Sequence, residues 1–193
     1  MSQFSTYFQL GYEHILDVQG YDHILFVIAL CAIYQAQDWK KILILVTAFT
    51  IGHSITLALS TLNLVNFRTD IIEFLIPVTI FITAFSNLVK KHGSGPAKFS
   101  SNYFYALFFG LIHGLGFSNY LKSLLGREEN IFTPLLAFNL GLELGQLIIV
   151  LFFVIISFVF VGLFNVSKRD WILVVSSAVA GIAITIMIET KFW

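Results

Sequence analysis

The sequence contains little charge and only one cysteine. Asp, Glu, Lys and Arg together make up 11% of the 193 residues, and the formal net charge at pH 7 is zero. The absence of excess basic charge gives no support for binding nucleic acid. The single cysteine, Cys31, excludes an intrachain disulfide. The sequence also lacks a phosphate-binding glycine loop, a paired CxxC, an HExxH and a nucleophile elbow, so no common catalytic motif assigns an activity.

Apolar residues are abundant instead. They make up 58% of the chain, and the mean hydropathy is +0.87. The surface of a soluble domain with this composition would aggregate, whereas continuous apolar runs of roughly 20 residues are typical of membrane-spanning helices. The runs lack the alternation of a membrane β-barrel. We therefore predict an all-α, polytopic membrane helix bundle that forms one integral membrane domain over residues 1–193. We expect no signal-peptide cleavage, because the N-terminus lacks a basic stretch.

The hydropathy pattern predicts about six transmembrane helices. The predicted spans are Tyr21–Gln35, Trp39–Leu62, Thr69–Val89, Ser101–Leu124, Ile131–Phe164 and Trp171–Glu189. Residues 3–18 are mixed polar and aromatic, and we interpret them as a short interfacial or re-entrant segment before the first span.

The basic residues predict the orientation. One side of the predicted bundle carries Lys40, Lys41, Lys90, Lys91, Lys98, Lys168 and Arg169. The opposite side carries Arg68, Lys122, Arg127 and Lys191. The richer side should be cytoplasmic by the positive-inside rule, which places both termini on the outer, periplasmic side of a bacterial inner membrane.

Four ionisable residues interrupt the apolar runs: His23, His53, His113 and Glu143. Burial of such groups in a membrane costs several kcal/mol unless a partner or a ligand compensates, so each is a candidate functional residue. At 1.5 Å per residue, the last three lie roughly 14–18 Å below the outer ends of their predicted helices. Imidazole and carboxylate groups at a similar depth are the ligands that divalent transition metals favour.

Two further residues adjoin the first span. Asp22 precedes His23 directly, and it either binds the same metal or orients a histidine through a hydrogen bond. His14 lies earlier, in the polar segment. The alternative is purely structural: Asp22 caps a helix, His23 lies at the interface, and the glycines around His113 serve helix packing.

Four motifs together resemble the HupE/UreJ family of hydrogenase- and urease-accessory membrane proteins. They are GYDHILF at 20–26, FTIGHSITL at 49–57, IHGLGF at 112–117 and FNLGLELGQ at 138–146. The second also resembles an element of nickel/cobalt permeases, whose H-x4-D-H signature has its nearest equivalent here in His14, Asp22 and His23. The gap between His14 and Asp22 is longer than in that signature.

The resemblance implies nickel or cobalt passage across a membrane. The first hypothesis is therefore a secondary permease that binds the ion through His23, His53 and His113, with Glu143 and Asp22 supplying charge and proton coupling. The second is an intramembrane zinc-dependent hydrolase that acts on a lipid-like substrate, because three histidines leave one zinc position for water. The third is an assembly partner for a metalloenzyme. The lipid bilayer and a metal ion are the expected partners, and a homo-oligomer remains open.

Overall fold

The computed structural model describes residues 2–90, 101–125 and 131–193, and these residues form seven α-helices with no β-strand among them. The helices are α1 Gln3–Leu16, α2 Asp22–Cys31, α3 Trp39–Thr61, α4 Thr69–Val89, α5 Ser101–Leu125, α6 Phe132–Ser157 and α7 Lys168–Glu189. A 3₁₀ turn precedes α3, and a π-helical segment, Phe158–Leu163, extends α6. The predicted all-α fold is confirmed. The basic residues Lys91, Lys98 and Arg127 lie outside the described residues.

Four helical stretches in the described part of the chain are long and apolar enough to cross a membrane. They are Ala36–Thr61, Thr69–Val89, Phe132–Leu163 and Lys168–Glu189. The helix α5 has 25 residues but is not one of these four. The apolar helix α2 has only ten residues, about half the length that a span needs.

Glycines allow α1 and α6 to cross at backbone contact distance. A methyl group on Gly11 would collide with the carbonyl oxygen of Phe138, and one on Gly141 would collide with that of Phe8. Farther along both helices, Gly145 faces Ile15. Residues 8–11 of α1 thus meet residues 138–141 of α6, and later residues, Ile15 and Gly145, meet farther along. The contacts therefore advance in the same direction on both helices, and α1 and α6 run parallel. This close approach fixes the N-terminal helix against the bundle.

Glycines bring α3 and α5 to backbone contact distance in the same way. Gly52 lies against the Leu107 carbonyl, Gly110 against the Phe49 carbonyl, and Gly114 against the His53 carbonyl. These two helices therefore also run parallel. The tight crossing holds the backbone of His53 directly beside α5, the helix on which His113 lies.

Side-chain contacts define two ends of the bundle. At the Thr61 end, the Tyr7 hydroxyl donates to the Leu124 carbonyl (3.5 Å), which brings the start of α1 to the end of α5. At the Trp39 end, the Asn102 amide lies 3.1 Å from the Tyr34 hydroxyl, which brings the start of α5 to the residues after α2. Arg169 closes the same end, because its guanidinium donates to the Leu88 carbonyl (2.8 Å) and caps the C-terminus of α4.

The helices α1 and α2 together run the length of the bundle. The first starts at the Thr61 end and the second finishes at the Trp39 end, with a break at residues 17–21, all of which are exposed. His14 lies in the last turn of α1 and His23 in the first turn of α2. One imidazole therefore lies on each side of the break, His14 before it and His23 after it.

Candidate metal centre

Three histidines from three different helices converge at the break. The ligand nitrogens of His14, His23 and His53 all lie within 4.8 Å of one another. The ring centroids of His14 and His23 are 4.6 Å apart, and that of His53 is 6.1 Å from His23. A single cation bound between three such nitrogens would need only small side-chain adjustments, since metal–imidazole bonds are roughly 2.0–2.1 Å long.

His113 adjoins this group from α5. Its ring centroid is 5.1 Å from that of His23. His53 and His113 are completely buried, and His23 is 4% exposed. The four imidazoles, which we call the histidine cluster (His14, His23, His53 and His113), thus occupy the interior of the bundle at about the depth where α1 ends.

The histidine cluster contains nitrogens that hydrogen bonding leaves unsatisfied. Within the part of the chain that the structure describes, the buried atoms without a hydrogen-bond partner include Nε2 of His14 and His23, both ring nitrogens of His53, and Nδ1 of His113. Buried polar atoms are rarely left without a partner, because each costs free energy comparable to a lost hydrogen bond. Convergence of such atoms from four helices fits a bound cation.

Asp22 orients one of these rings. Its Oδ1 lies 2.9 Å from Nδ1 of His23 and accepts a second hydrogen bond from the His23 backbone N–H (2.8 Å). When Nδ1–H donates to the carboxylate, Nε2 keeps its lone pair and is available to a metal. Carboxylate–histidine pairs of this kind commonly support metal-binding imidazoles.

Thr79 has the equivalent role for His113. The Thr79 hydroxyl donates to the Ile76 carbonyl (2.7 Å), and its oxygen lies 3.1 Å from Nε2 of His113. With its proton committed to Ile76, the hydroxyl accepts from Nε2–H. The lone pair of His113 then resides on Nδ1, the nitrogen that has no other partner among the described residues.

Aromatic rings enclose the histidine cluster. The Phe117 ring lies 4.0 Å from that of His14, Phe138 stacks at 6.3 Å on His53, and Phe26 and Phe49 lie 5.0 and 5.2 Å from His113. Such an apolar enclosure excludes water and strengthens electrostatic interactions inside it. These phenylalanines and Thr79 were not among the residues predicted from the sequence. Thr79 lies one turn before Thr83 on α4. This stripe of polar residues along one face of the helix is the sequence signal that could have identified Thr79.

Glu143 lies outside the histidine cluster. Its carboxylate accepts a hydrogen bond from the Thr47 hydroxyl (2.7 Å), and three residues later the Gln146 carbonyl oxygen accepts one from Thr50 (2.8 Å). Thr47 precedes His53 by six residues, about 9 Å along α3. The structure therefore brings His14, Asp22, His23, His53 and His113 together, and it places Glu143 in a polar α3–α6 contact outside the close histidine group.

The family assignment follows from comparison with known sequences. The family model described as HupE / UreJ protein matches residues 1–191. The chain belongs to the HupE/UreJ family. This match covers essentially the whole chain, including both sides of the α1–α2 break. The HupE/UreJ assignment and the apolar helices together identify a membrane protein with a metal-related accessory or transport role. Searches of curated proteins and of solved structures returned no match.

Proposed function

We propose that this protein is a secondary permease for a divalent transition metal, nickel or cobalt, and that the histidine cluster binds the transported ion. The observation that supports this proposal is the convergence of unpartnered imidazole nitrogens from separate helices in a buried position. The direct ligands are His14, His23 and His53. His113 adjoins them as a fourth donor, and Asp22 supplies negative charge through His23.

The donor set favours a borderline cation. Imidazole nitrogens suit nickel, zinc, copper and iron, whereas magnesium and calcium prefer sites made of oxygen ligands. Membership in the HupE/UreJ family directs the choice among these metals towards nickel. The ion is the cargo, so the site has to release it as well as bind it.

We count α1 and α2 as one broken crossing, in place of a first span over Tyr21–Gln35 alone, and this keeps six crossings in the proposal. The five helices α3–α7 make the remaining crossings, and both chain termini then lie on one side of the membrane. Arg169 and Lys41 lie at the Trp39 end, which we assign to the cytoplasm of a bacterial cell by the positive-inside rule. The histidine cluster then receives ions from the periplasmic side.

A broken helix is suited to a transport site. Discontinuous membrane helices expose backbone groups and helix ends at mid-depth, where transporters bind ions. Here the C-terminus of α1, the negative end of its dipole, adjoins the cluster, and the Asp22 carboxylate offsets the positive N-terminal end of α2 on the other side of the break. No nucleotide-binding motif occurs in the sequence, so the membrane potential or a proton gradient supplies the energy. Protonation of an imidazole would assist release.

An intramembrane zinc-dependent hydrolase acting on a lipid-like substrate is the second candidate. Three imidazoles around zinc would leave a position for water, but the reaction also needs a free carboxylate base beside that water. Asp22 already orients the His23 ring, and Glu143 lies outside the close histidine group in its contact with Thr47. This arrangement favours the permease. Tight, near-stoichiometric zinc in the purified protein would favour the hydrolase, and exchangeable nickel would favour the permease.

Uptake of radioactive nickel in cells tests the proposal. The His53→Ala variant should abolish uptake, because it removes a buried ligand. The matched control is Ser54→Ala on the next residue, whose hydroxyl donates only to the Thr50 carbonyl (2.6 Å). Equal uptake by His53→Ala and the unchanged protein, at equal amounts in the membrane, would reject transport through the cluster. The assembly-partner hypothesis predicts that equality.

A further inference from the structure

A cavity lies between α2, α4 and α5, on the Trp39 side of the histidine cluster. Its volume is about 170 Å³, and its wall combines apolar side chains with the hydroxyl- and amide-bearing residues Thr83, Ser86, Asn87, Asn102 and Tyr105. It has room for several water molecules, since one water fills roughly 30 Å³ of liquid. Nothing in the roles assigned above uses this space.

Two aromatic rings in series, Phe26 beside the histidine cluster and Phe109 in the cavity wall, separate the cavity from the cluster. The fully buried Phe26 ring lies 5.0 Å from the His113 ring on one side and 5.9 Å from the Phe109 ring on the other. Phe109 itself lines the cavity. Phe26 therefore lies between the cluster and the cavity wall, where its ring blocks direct passage.

A column of polar groups on α4 connects the same two places. The Thr79 hydroxyl contacts His113, and the Thr83 hydroxyl donates to the Thr79 carbonyl one turn later (2.8 Å). One further turn on, the Asn87 amide donates to the Ala29 carbonyl on α2 (2.8 Å). The column reaches from the cluster to the Trp39 end of the bundle.

We propose that this cavity is the vestibule through which the ion leaves the histidine cluster, and that Phe26 is the plug that closes it. The inference rests on the proposed transport function and adds an exit route and a barrier to it. Hydroxyl and amide oxygens bind borderline cations more weakly than imidazole does. Weak oxygen sites beyond a strong nitrogen site let an ion move on, which conduction requires.

The plug and one ligand belong to the same short helix. Phe26 follows His23 by three residues, so the two side chains share one face of α2. A displacement of α2 therefore withdraws an imidazole from the ion and opens the vestibule in one movement. The exposed break at residues 17–21 joins α2 to α1 without regular structure and permits such a movement.

Thiol labelling tests the vestibule without relying on transport. The native Cys31 is replaced by Ala, and Ser86→Cys places a thiol on the cavity wall. A membrane-impermeant maleimide should label this variant only from the face on which a Lys40→Cys variant is labelled. Phe85 and Ser86 are both exposed, but Phe85 is not among the residues that line the cavity, so the neighbouring Phe85→Cys variant should react far more slowly because it faces lipid. Equal labelling at positions 85 and 86, or labelling from the opposite face, would reject the vestibule.

The Phe26→Ala variant tests the plug. In the Ser86→Cys background it should permit labelling from both faces, and nickel influx into proteoliposomes should lose saturation with concentration. Phe153→Ala is the control. It also removes a buried ring, but Phe153 follows Phe138, the α6 residue that stacks on His53, by 15 residues, about 22 Å along the helix. Phe26→Leu keeps bulk and should retain one-sided labelling if Phe26→Ala does not fold. One-sided labelling in a folded Phe26→Ala variant would reject the plug.

The outcomes separate this inference from the transport proposal. If His53→Ala abolishes nickel uptake but the labelling pattern contradicts the vestibule, then transport stands and the ion leaves by another route. If His53→Ala has no effect on uptake, then transport is rejected whatever the labelling shows.

Discussion

Asp22 Oδ1 lies 2.9 Å from Nδ1 of His23, although the two residues are neighbours in sequence. Adjacent helical residues point about 100° apart, and the contact forms because the helix begins at Asp22. Here the carboxylate both receives the backbone N–H of the first turn and orients the ring. The start of α2 is thereby linked to the tautomer of one proposed ligand.

Substitution of Asp22 by Asn should weaken nickel binding by about 10- to 100-fold, the range typical for loss of a carboxylate behind a metal-bound histidine. Titration calorimetry of the purified protein measures this change. Asp17→Asn is the matched control, because Asp17 is exposed in the break and its carboxylate accepts from the Gln19 backbone (2.9 Å). Equal affinity in the two variants would show that Asp22 does not act through His23.

The Thr79→Val substitution should weaken nickel binding several-fold with little change in the amount of folded protein. It removes the acceptor that holds the Nε2–H of His113, while the β-branched shape is retained. The measurement is the affinity for nickel beside that of Thr185→Val, a control on α7 whose hydroxyl donates only to the Gly181 carbonyl (3.3 Å). If both threonine variants bind nickel as the unchanged protein does, the contact with His113 has no part in binding.

Glu143→Gln should bind nickel within about threefold of the unchanged protein, a difference of less than 1 kcal/mol by the relation between affinity and free energy. The reason is that Glu143 accepts from Thr47 and lies outside the close histidine group, and a glutamine amide oxygen also accepts from a hydroxyl. Calorimetry of the same kind applies, and His53→Ala is the reference for a lost ligand. A loss as large as that of His53→Ala would identify Glu143 as a direct ligand.

Replacement of Gly11 or Gly52 by Ala should destabilise the protein by about 1–3 kcal/mol, the usual cost of overpacking. An added methyl group meets a backbone carbonyl of the partner helix at both positions, and a backbone cannot move aside as a flexible side chain can. Thermal unfolding in detergent measures the change.

Gly181→Ala is the control for this series, because a methyl group there meets no atom of the described residues within 4 Å. It should leave stability unchanged or raise it by up to about 1 kcal/mol through helix propensity. Equal melting temperatures for Gly11→Ala and Gly181→Ala would show that the α1–α6 crossing is looser than the structure has it.

The long apolar runs predicted most of the helices closely. The predicted span Thr69–Val89 coincides with α4, and Trp39–Leu62 differs from α3 by one residue at its end. The first predicted span, Tyr21–Gln35, corresponds to the shorter α2. Hydropathy could not show that most of the polar segment 3–18 forms a helix packed closely against α6. That packing depends on glycine contacts with a helix more than 120 residues later in the chain.

Depth was a useful but incomplete guide to the site. His53 and His113 were placed at a common depth from the sequence, and the structure brings them into one cluster. Glu143 was placed at a similar depth, but depth along a helix does not fix the direction in which a side chain points. Its rotation about α6 directs it to Thr47. Only the three-dimensional crossing of α3 and α6 determines that direction.

X-ray absorption spectroscopy of the nickel-loaded, purified protein tests the central claim most directly. We expect one exchangeable nickel per chain, with several imidazole ligands, in protein held in excess nickel, and a smaller imidazole contribution in His53→Ala but not in Ser54→Ala. A nickel spectrum that His53→Ala leaves unchanged, or the absence of stoichiometric nickel, would contradict the claim that the histidine cluster binds the ion.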